Sequence, residues 1–370
     1  MKKNLLTSFI VATLTISLFT SCSKKDSGNG GGGTTVTALT ITANKSSVYA
    51  DGYDKVTFTV KDQSGNDVTN SVYIFVRNYI ISGNTKIFNI GEQGACEVYA
   101  KSTSSLTVES NKININVLDP GPSKYTTKII ADDFTGTWCG WCPRMTYKFN
   151  KFMASDSRIF TVGVHNGDAL TVSALESSLR SKFNVTGFPT VIINRNREFN
   201  DNGNINSVAD SVDFGSFLRQ RMVVGLAINS TVSGNTLNIT TKVGFDADIP
   251  DGLKLVVTVV EDGLVKSQSN YYANNNSYPG NPYYSSGNPI SNFVHNGVLK
   301  AAPTGIMGET IPAAQQAKNN IYTATHSVDI SGMVSSNVKV VAFVTYADGG
   351  ANKGVLNAQW ANAGVNKNFD

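Results

Sequence analysis

Residues 39–43 (LTITA), 55–60 (KVTFTV) and 113–117 (ININV) alternate apolar and polar positions, the period of half-buried strands. Asp51-Gly52 and residues 64–67 (SGND) place turn chemistry between them. Short strands at this spacing predict a β-sandwich over residues 36–118. Residues 119–123 (DPGPS) read as a stiff linker. Beyond it the pattern changes. Residues 127–134 read as a strand, and 159–164 (IFTVGV) and 190–194 (TVIIN) as buried parallel-type strands. Residues 142–154, 173–183 and 208–221 read as helices, with Leu175, Leu179 and Phe183 on one side of the second. Alternating strands and helices predict an α/β unit over residues 124–221. Residues 222–228, 237–243, 253–260 and 338–344 return to strands, which predicts a second sandwich over 222–370. A loop over about residues 267–292 interrupts it, with Tyr271, Tyr272, Tyr278, Tyr283 and Tyr284 among Asn, Ser, Gly and Pro. So long a loop is functional or mobile. Its composition suits an adaptable binding surface; the plainer alternative is that its rings pack on their own sandwich.

The N-terminus sets the compartment. Lys2 and Lys3 precede a short apolar run, and small residues then lead to Cys22. Residues 1–21 therefore read as a lipoprotein signal peptide, with Cys22 as the acylated residue. Residues 22–35, rich in Ser, Asn and Gly, form a flexible tether. Anchor and tether together predict a body held at a membrane surface without spanning it, as an outer membrane lipoprotein on the periplasmic or cell-surface face.

Net charge is +4. Without Lys2 and Lys3, 29 basic residues face 27 acidic ones, and no basic patch with interleaved aromatics occurs, so nucleic acid is not an expected partner. Three dispersed histidines and a single close cysteine pair argue against a metal site. No phosphate loop or serine nucleophile elbow is present, and no cofactor is expected. Cys96, in a strand-like stretch, reads as a buried, inert thiol.

Cys139 and Cys142 lie in TWCGWCPR (residues 137–144), between a strand and a helix whose first turn holds Pro143. Free amide groups and the positive end of the helix dipole would face Cys139 there and lower its pKa. Cys139 is accordingly the candidate nucleophile and Cys142 the resolving thiol. Asp133 would accept a proton from Cys142 through water. Its neighbour Asp132 has the opposite side-chain direction, so only one of the two should face inward. Pro189, in the turn GFPT (187–190), completes the candidate catalytic set, and its preceding bond suits a cis peptide in a tight turn. Trp138, Trp141, Phe188 and Thr190 are the candidate substrate-binding residues. His165 reads as a structural histidine at a strand end, with proton transfer as the alternative; His295 reads as structural at a turn, and His326 as incidental.

The run DDFTGTWCGWCPR followed by GFPTVIIN resembles the thioredoxin superfamily, with matches at Asp133, Trp138, Cys139, Gly140, Cys142 and Pro189. The resemblance implies a thioredoxin fold, a redox-active Cys139–Cys142 disulfide and a cis Pro189. Trp141 and Pro143 depart from thioredoxin itself, so redox direction does not carry over. Residues 36–118 resemble bacterial immunoglobulin-like modules. The lipoprotein signal, TGTWCGWCP, GFPTVIINR, VVEDGLV and NFVHNGVLK together resemble the outer membrane protein 28-related lipoproteins of Bacteroidetes, over most of residues 124–370.

The expected architecture is thus multidomain β and α/β: an immunoglobulin-like β-sandwich, a thioredoxin-like α/β domain and a C-terminal β-sandwich. The expected activity is thiol–disulfide exchange with protein thiols or disulfides as partners, at the membrane through the lipid anchor. The alternative is a surface binding or adhesion protein with a host or cell-surface ligand, in which Cys139–Cys142 is a structural disulfide.

Overall fold

The computed structural model describes residues 35–89, 91–205, 214, 218, 221–275, 280–347 and 354–370. The signal peptide, Cys22, nearly all of the tether, Tyr278 and most of the helix expected over 208–221 lie outside the described residues; within that helix Phe214 and Leu218 are helical.

The N-terminal part is all strand: β1 (Leu39–Ala43), β2 (Ser47–Tyr49), β3 (Lys55–Asp62), β4 (Val72–Val76), β5 (Tyr79–Ile80), β6 (Thr85–Ile87), β7 (Gly94–Ser102) and β8 (Ile113–Leu118). They form two sheets, β1-β3-β6 and β2-β8-β7-β4-β5. Alternation sends Val56, Phe58 and Val60 of β3 inward, each fully buried, to meet Ile74, Val98 and Ile115 from the other sheet. Cys96 joins this core as a free, buried thiol whose pKa burial raises.

After the linker come β9 (Ile129–Thr135), α1 (Pro143–Ser155), β10 (Ile159–His165), α2 (Ser173–Lys182), β11 (Thr190–Ile193) and β12 (Arg197–Glu198). Helix α1 buries Met145, Phe149 and Phe152, a stripe at helical spacing, against Ile129, Ala131, Val191 and Phe199. Each such side chain contributes about 1.5–3 kcal/mol over an exposed one. Leu179 of α2 covers the opposite sheet face with Ile130, Phe134 and Val162, and Leu175 and Phe183 pack beside it.

The remaining strands are β13 (Val224–Ser233), β14 (Thr236–Phe245), β15 (Leu253–Glu261), β16 (Leu264–Gln268), β17 (Ile290–His295), β18 (Val298–Ala301), β19 (Glu309–Ile311), β20 (Ile321–Asp329), β21 (Val338–Tyr346) and β22 (Val355–Asn362). They do not form a separate sandwich. A nine-stranded sheet runs β12-β11-β9-β10-β18-β15-β21-β22, with β19 also on β15. Its seam is a parallel contact between Gly163 of β10 and Val298 of β18. The sheet β13-β14-β20 packs on the distal half.

This corrects the expected thioredoxin-like α/β domain. Strand accounts for 44% of the described residues and helix, 3-10 turns included, for 11%, and two α-helices run their full length among them. Strands β9 to β12 form one end of a larger, shared sheet. The physical cause shows in β15. Leu255, Val257 and Val259 face the sheet β13-β14-β20, while Val256 and Val260 face the α2 layer. Its nearly continuous apolar run reflects burial on both faces by two different layers.

Candidate functional site

Cys139 and Cys142 form a disulfide, with Cα atoms 5.4 Å apart. The chain leaves β9 at Thr135 and turns through residues 136–142 into α1, which Pro143 opens. The Cys139 amide donates to the Gly136 carbonyl at 3.0 Å and the Cys142 amide to the Cys139 carbonyl at 3.2 Å. Both cysteines are buried, at 4% and 1% exposure, so the accessible sulfur expected from the sequence is covered in this state.

Asp168 fastens the turn to the end of β10. Its carboxylate accepts from the Thr137 amide at 2.8 Å and pairs with His165 Nδ1 at 2.8 Å. Burial alone would raise the Asp168 carboxyl. The His165 contact and the amides of Thr137 and Leu170 outweigh it and hold the group well below the usual carboxylate range. The structural reading of His165 thus has a concrete partner. Trp138 donates its indole N–H to the Asn166 carbonyl at 2.7 Å and meets Phe188 edge-on at 5.4 Å.

The Phe188–Pro189 peptide is cis. Thr190 follows it into β11 and donates its hydroxyl to the Gly187 carbonyl at 3.0 Å. In the β9–β11 register Thr190 faces Phe134, and Val191 faces Asp133. The proline turn, the tryptophan turn and Asp133 are therefore neighbours through two strands.

Both aspartates of β9 are buried, which corrects the expectation that only one turns inward. The sheet is covered on both faces, so opposite directions lead to opposite interiors. Asp132 pairs with Arg195 at 3.1 Å on the α2 side. Asp133 lies on the α1 side, and its Oδ1 has no hydrogen-bond partner among the described residues. Burial pushes its carboxyl up to about 7.

Sequence reasoning missed the cover over the disulfide. Residues 268–272, entering the tyrosine-rich loop, lie across the motif. Gln268 Nε2 donates to the carbonyls of Gly136 at 3.1 Å and Cys139 at 2.8 Å. The Ser269 amide donates to the Thr137 carbonyl at 2.8 Å, and the Tyr271 amide to the Gly140 carbonyl at 3.0 Å. Trp141 stands edge-on to Tyr271 and Tyr272 at 5.2 and 5.3 Å. Arg144 donates to the Tyr272 hydroxyl at 3.2 Å. Asn270 clasps the loop, donating to the carbonyls of Tyr283 and Gly287. The loop's length was the one visible signal; its target was not legible. Its rings reach the cysteine turn, beyond the packing on their own strands that composition left open.

Gly140 makes this contact possible. A β-carbon there would stand 2.4 Å from the Tyr271 ring. Gly140→Ala is therefore expected to displace Tyr271 and speed reduction of the disulfide by a water-soluble phosphine severalfold. Unchanged reduction kinetics would show that the strap does not limit access.

The profile of the outer membrane protein Omp28 family matches residues 176–367. Among solved structures, HBP35 of Porphyromonas gingivalis is similar in fold, with 20% identity and a TM-score of 0.52. That likeness covers 65% of this chain and 76% of HBP35. The adhesin InvE of Yersinia pseudotuberculosis aligns at 11% identity over 92% of this chain and 62% of its own. Its TM-score of 0.19 is too low to carry an argument. No curated protein matches the chain. The profile spans just over half of the sequence, with β11 to β22 inside it, and the chain belongs to the outer membrane protein Omp28 family.

Proposed function

We propose that this outer membrane family member exchanges disulfides with extracytoplasmic proteins through Cys139 and Cys142, tethered to the membrane by a lipid on Cys22. One observation carries the reading: the bonded cysteine pair opens α1, and the unpaired, buried carboxyl of Asp133 lies under the same helix. Cys139 stands just before the free amides of the first helical turn, which favour a thiolate there over a thiol. In the oxidising direction a substrate thiolate attacks Cys139, and Cys142 departs and takes a proton from Asp133. Trp138, Trp141, Phe188 and Thr190 border the turn and the cis Pro189, where an extended substrate segment would lie. The strap of residues 268–272 moves aside to admit it.

The second reading is a surface binding protein with a structural disulfide. The burial of both cysteines under a fastened strap favours it. Equilibration of the protein with glutathione buffers separates the two. Exchange predicts a reduction potential between about −120 and −270 mV, and a Cys142→Ser variant that traps a mixed disulfide with insulin. A potential below about −300 mV without a trapped adduct would establish the structural role.

A further inference from the structure

We propose that residues 268–272 are an internal stand-in for the substrate, and that the cysteine turn recognises extended polypeptide segments carrying an aromatic side chain. This recognition gives the exchange reading its substrate class and rests on that reading for its purpose.

Among the described residues, every hydrogen bond between the strap and the backbone of the turn runs from a strap donor to a turn carbonyl. Gln268 Nε2 serves Gly136 and Cys139, the Ser269 amide serves Thr137 at 2.8 Å, and the Tyr271 amide serves Gly140 at 3.0 Å. The two amides are two residues apart and point the same way, as alternate amides of an extended chain do. The turn is thus a row of acceptors. An extended polypeptide carries the matching pair of donors, a helix spends its amides internally, and proline lacks one. Main-chain bonds of this kind give affinity without regard to sequence.

The preference for a ring comes from Gly140. Its missing side chain leaves a slot that the Tyr271 ring fills: a β-carbon there would stand 2.4, 2.5 and 2.6 Å from three carbons of that ring. Trp141 forms the wall, edge-on to Tyr271 at 5.2 Å and 81°. A flat ring suits a slot floored by a bare Cα, and an edge-on aromatic pair adds to the gain from burial. The same residue supplies the ring and the amide for Gly140, so one aromatic residue of an incoming chain replaces both contacts.

The strap has the properties of a competitor. Tyr271 is 53% exposed although it lies between the two cysteines. The bonds that shape the loop are internal to it: Asn270 donates to the Tyr283 and Gly287 carbonyls, and the Ser285 amide donates to the Ala273 carbonyl at 2.8 Å. They travel with the strap, so its release breaks the contacts with the turn and keeps the loop ordered, which limits the entropy change of leaving and returning. Tyr272, fully buried with its hydroxyl on Arg144, makes the closed state the dominant one. An incoming chain then binds at an apparent affinity reduced by the open fraction.

Isothermal titration calorimetry of the oxidised full chain with the end-capped peptide QSNYYA, the sequence of residues 268–273, tests this. The double variant Gln268→Ala/Tyr271→Ala loosens the strap and is expected to bind the peptide about tenfold more tightly than the parent. Replacing the peptide's first tyrosine by alanine should weaken that binding about tenfold. Methylating the amide nitrogen of the same tyrosine should weaken it about fivefold. Gly140→Ala fills the slot and should bind the tyrosine and alanine peptides alike. If the double variant fails to fold, Tyr271→Ala, at a half-exposed position, carries the same comparisons. No binding by either variant at millimolar peptide, or binding indifferent to the ring and to the methyl group, overturns the proposal. The peptide has no thiol, so ring-selective binding by a protein that fails to exchange disulfides would keep the recognition site and overturn only the exchange reading.

Discussion

Gly297→Ala is expected to destabilise the protein by about 2–5 kcal/mol and to do so at the seam of its largest sheet. Gly297 has φ +64°, a left-handed conformation that costs an alanine roughly 1–2 kcal/mol. The added β-carbon would also stand 2.4 Å from the backbone carbonyl oxygen of Thr161. A strand carbonyl cannot swing away as a side chain can, and such overpacking costs about 1–3 kcal/mol more. The Gly163 amide donates to the Gly297 carbonyl at 2.8 Å, so yielding would loosen the junction of β10 with β18. Gly305→Ala supplies the control, since its φ is +70° and nothing lies within 4 Å of its β-carbon. Urea unfolding of the two variants separates conformational cost from collision. Equal midpoints for both would sink the steric account.

Asp133→Asn is expected to stabilise the protein, in a pH-dependent way. The folded-state pKa of Asp133 is raised to about 7, against an ordinary value near 3.8. Its favourable contribution is full below about pH 4 and is lost as pH rises towards 7, because the folded protein must then ionise a buried carboxyl that the unfolded chain ionises freely. Asparagine carries no charge at any of these pH values. The gain over the parent should be near zero at pH 4, grow between pH 4 and 7 and level off above, at up to about 4 kcal/mol. Denaturant melts at pH 4, 6 and 8 measure it. A gap independent of pH would mean that Asp133 does not titrate where its burial places it. The same change removes the proposed proton donor for Cys142, so under the exchange reading stability and exchange rate should move in opposite directions.

The local chemistry was more legible in the sequence than its setting. TWCGWCPR placed the cysteine pair between a strand and a helix opened by Pro143, and GFPT placed a cis proline beside it. Those features depend on neighbouring residues, which a sequence displays. The shared sheet depends on pairings between segments far apart. Residues 253–260 announced burial through their apolar run, but a run cannot say which layers provide it. The cover on the disulfide was hidden for a related reason. Gln268 and Asn270 act through single side-chain amides on backbone carbonyls, and such bonds leave no periodic trace.

The seam also bears on how the chain matures. During synthesis β9, α1 and β10 emerge well before Val298, and until then the outer edge of β10 has bare amides and carbonyls. An uncovered edge of this kind invites pairing with foreign strands. A truncated product ending after β12 would keep that edge permanently and would leave Trp141 without its tyrosine partners. Such a fragment should self-associate, and its biogenesis in the cell would depend on an escort that shields the edge until the C-terminal half arrives.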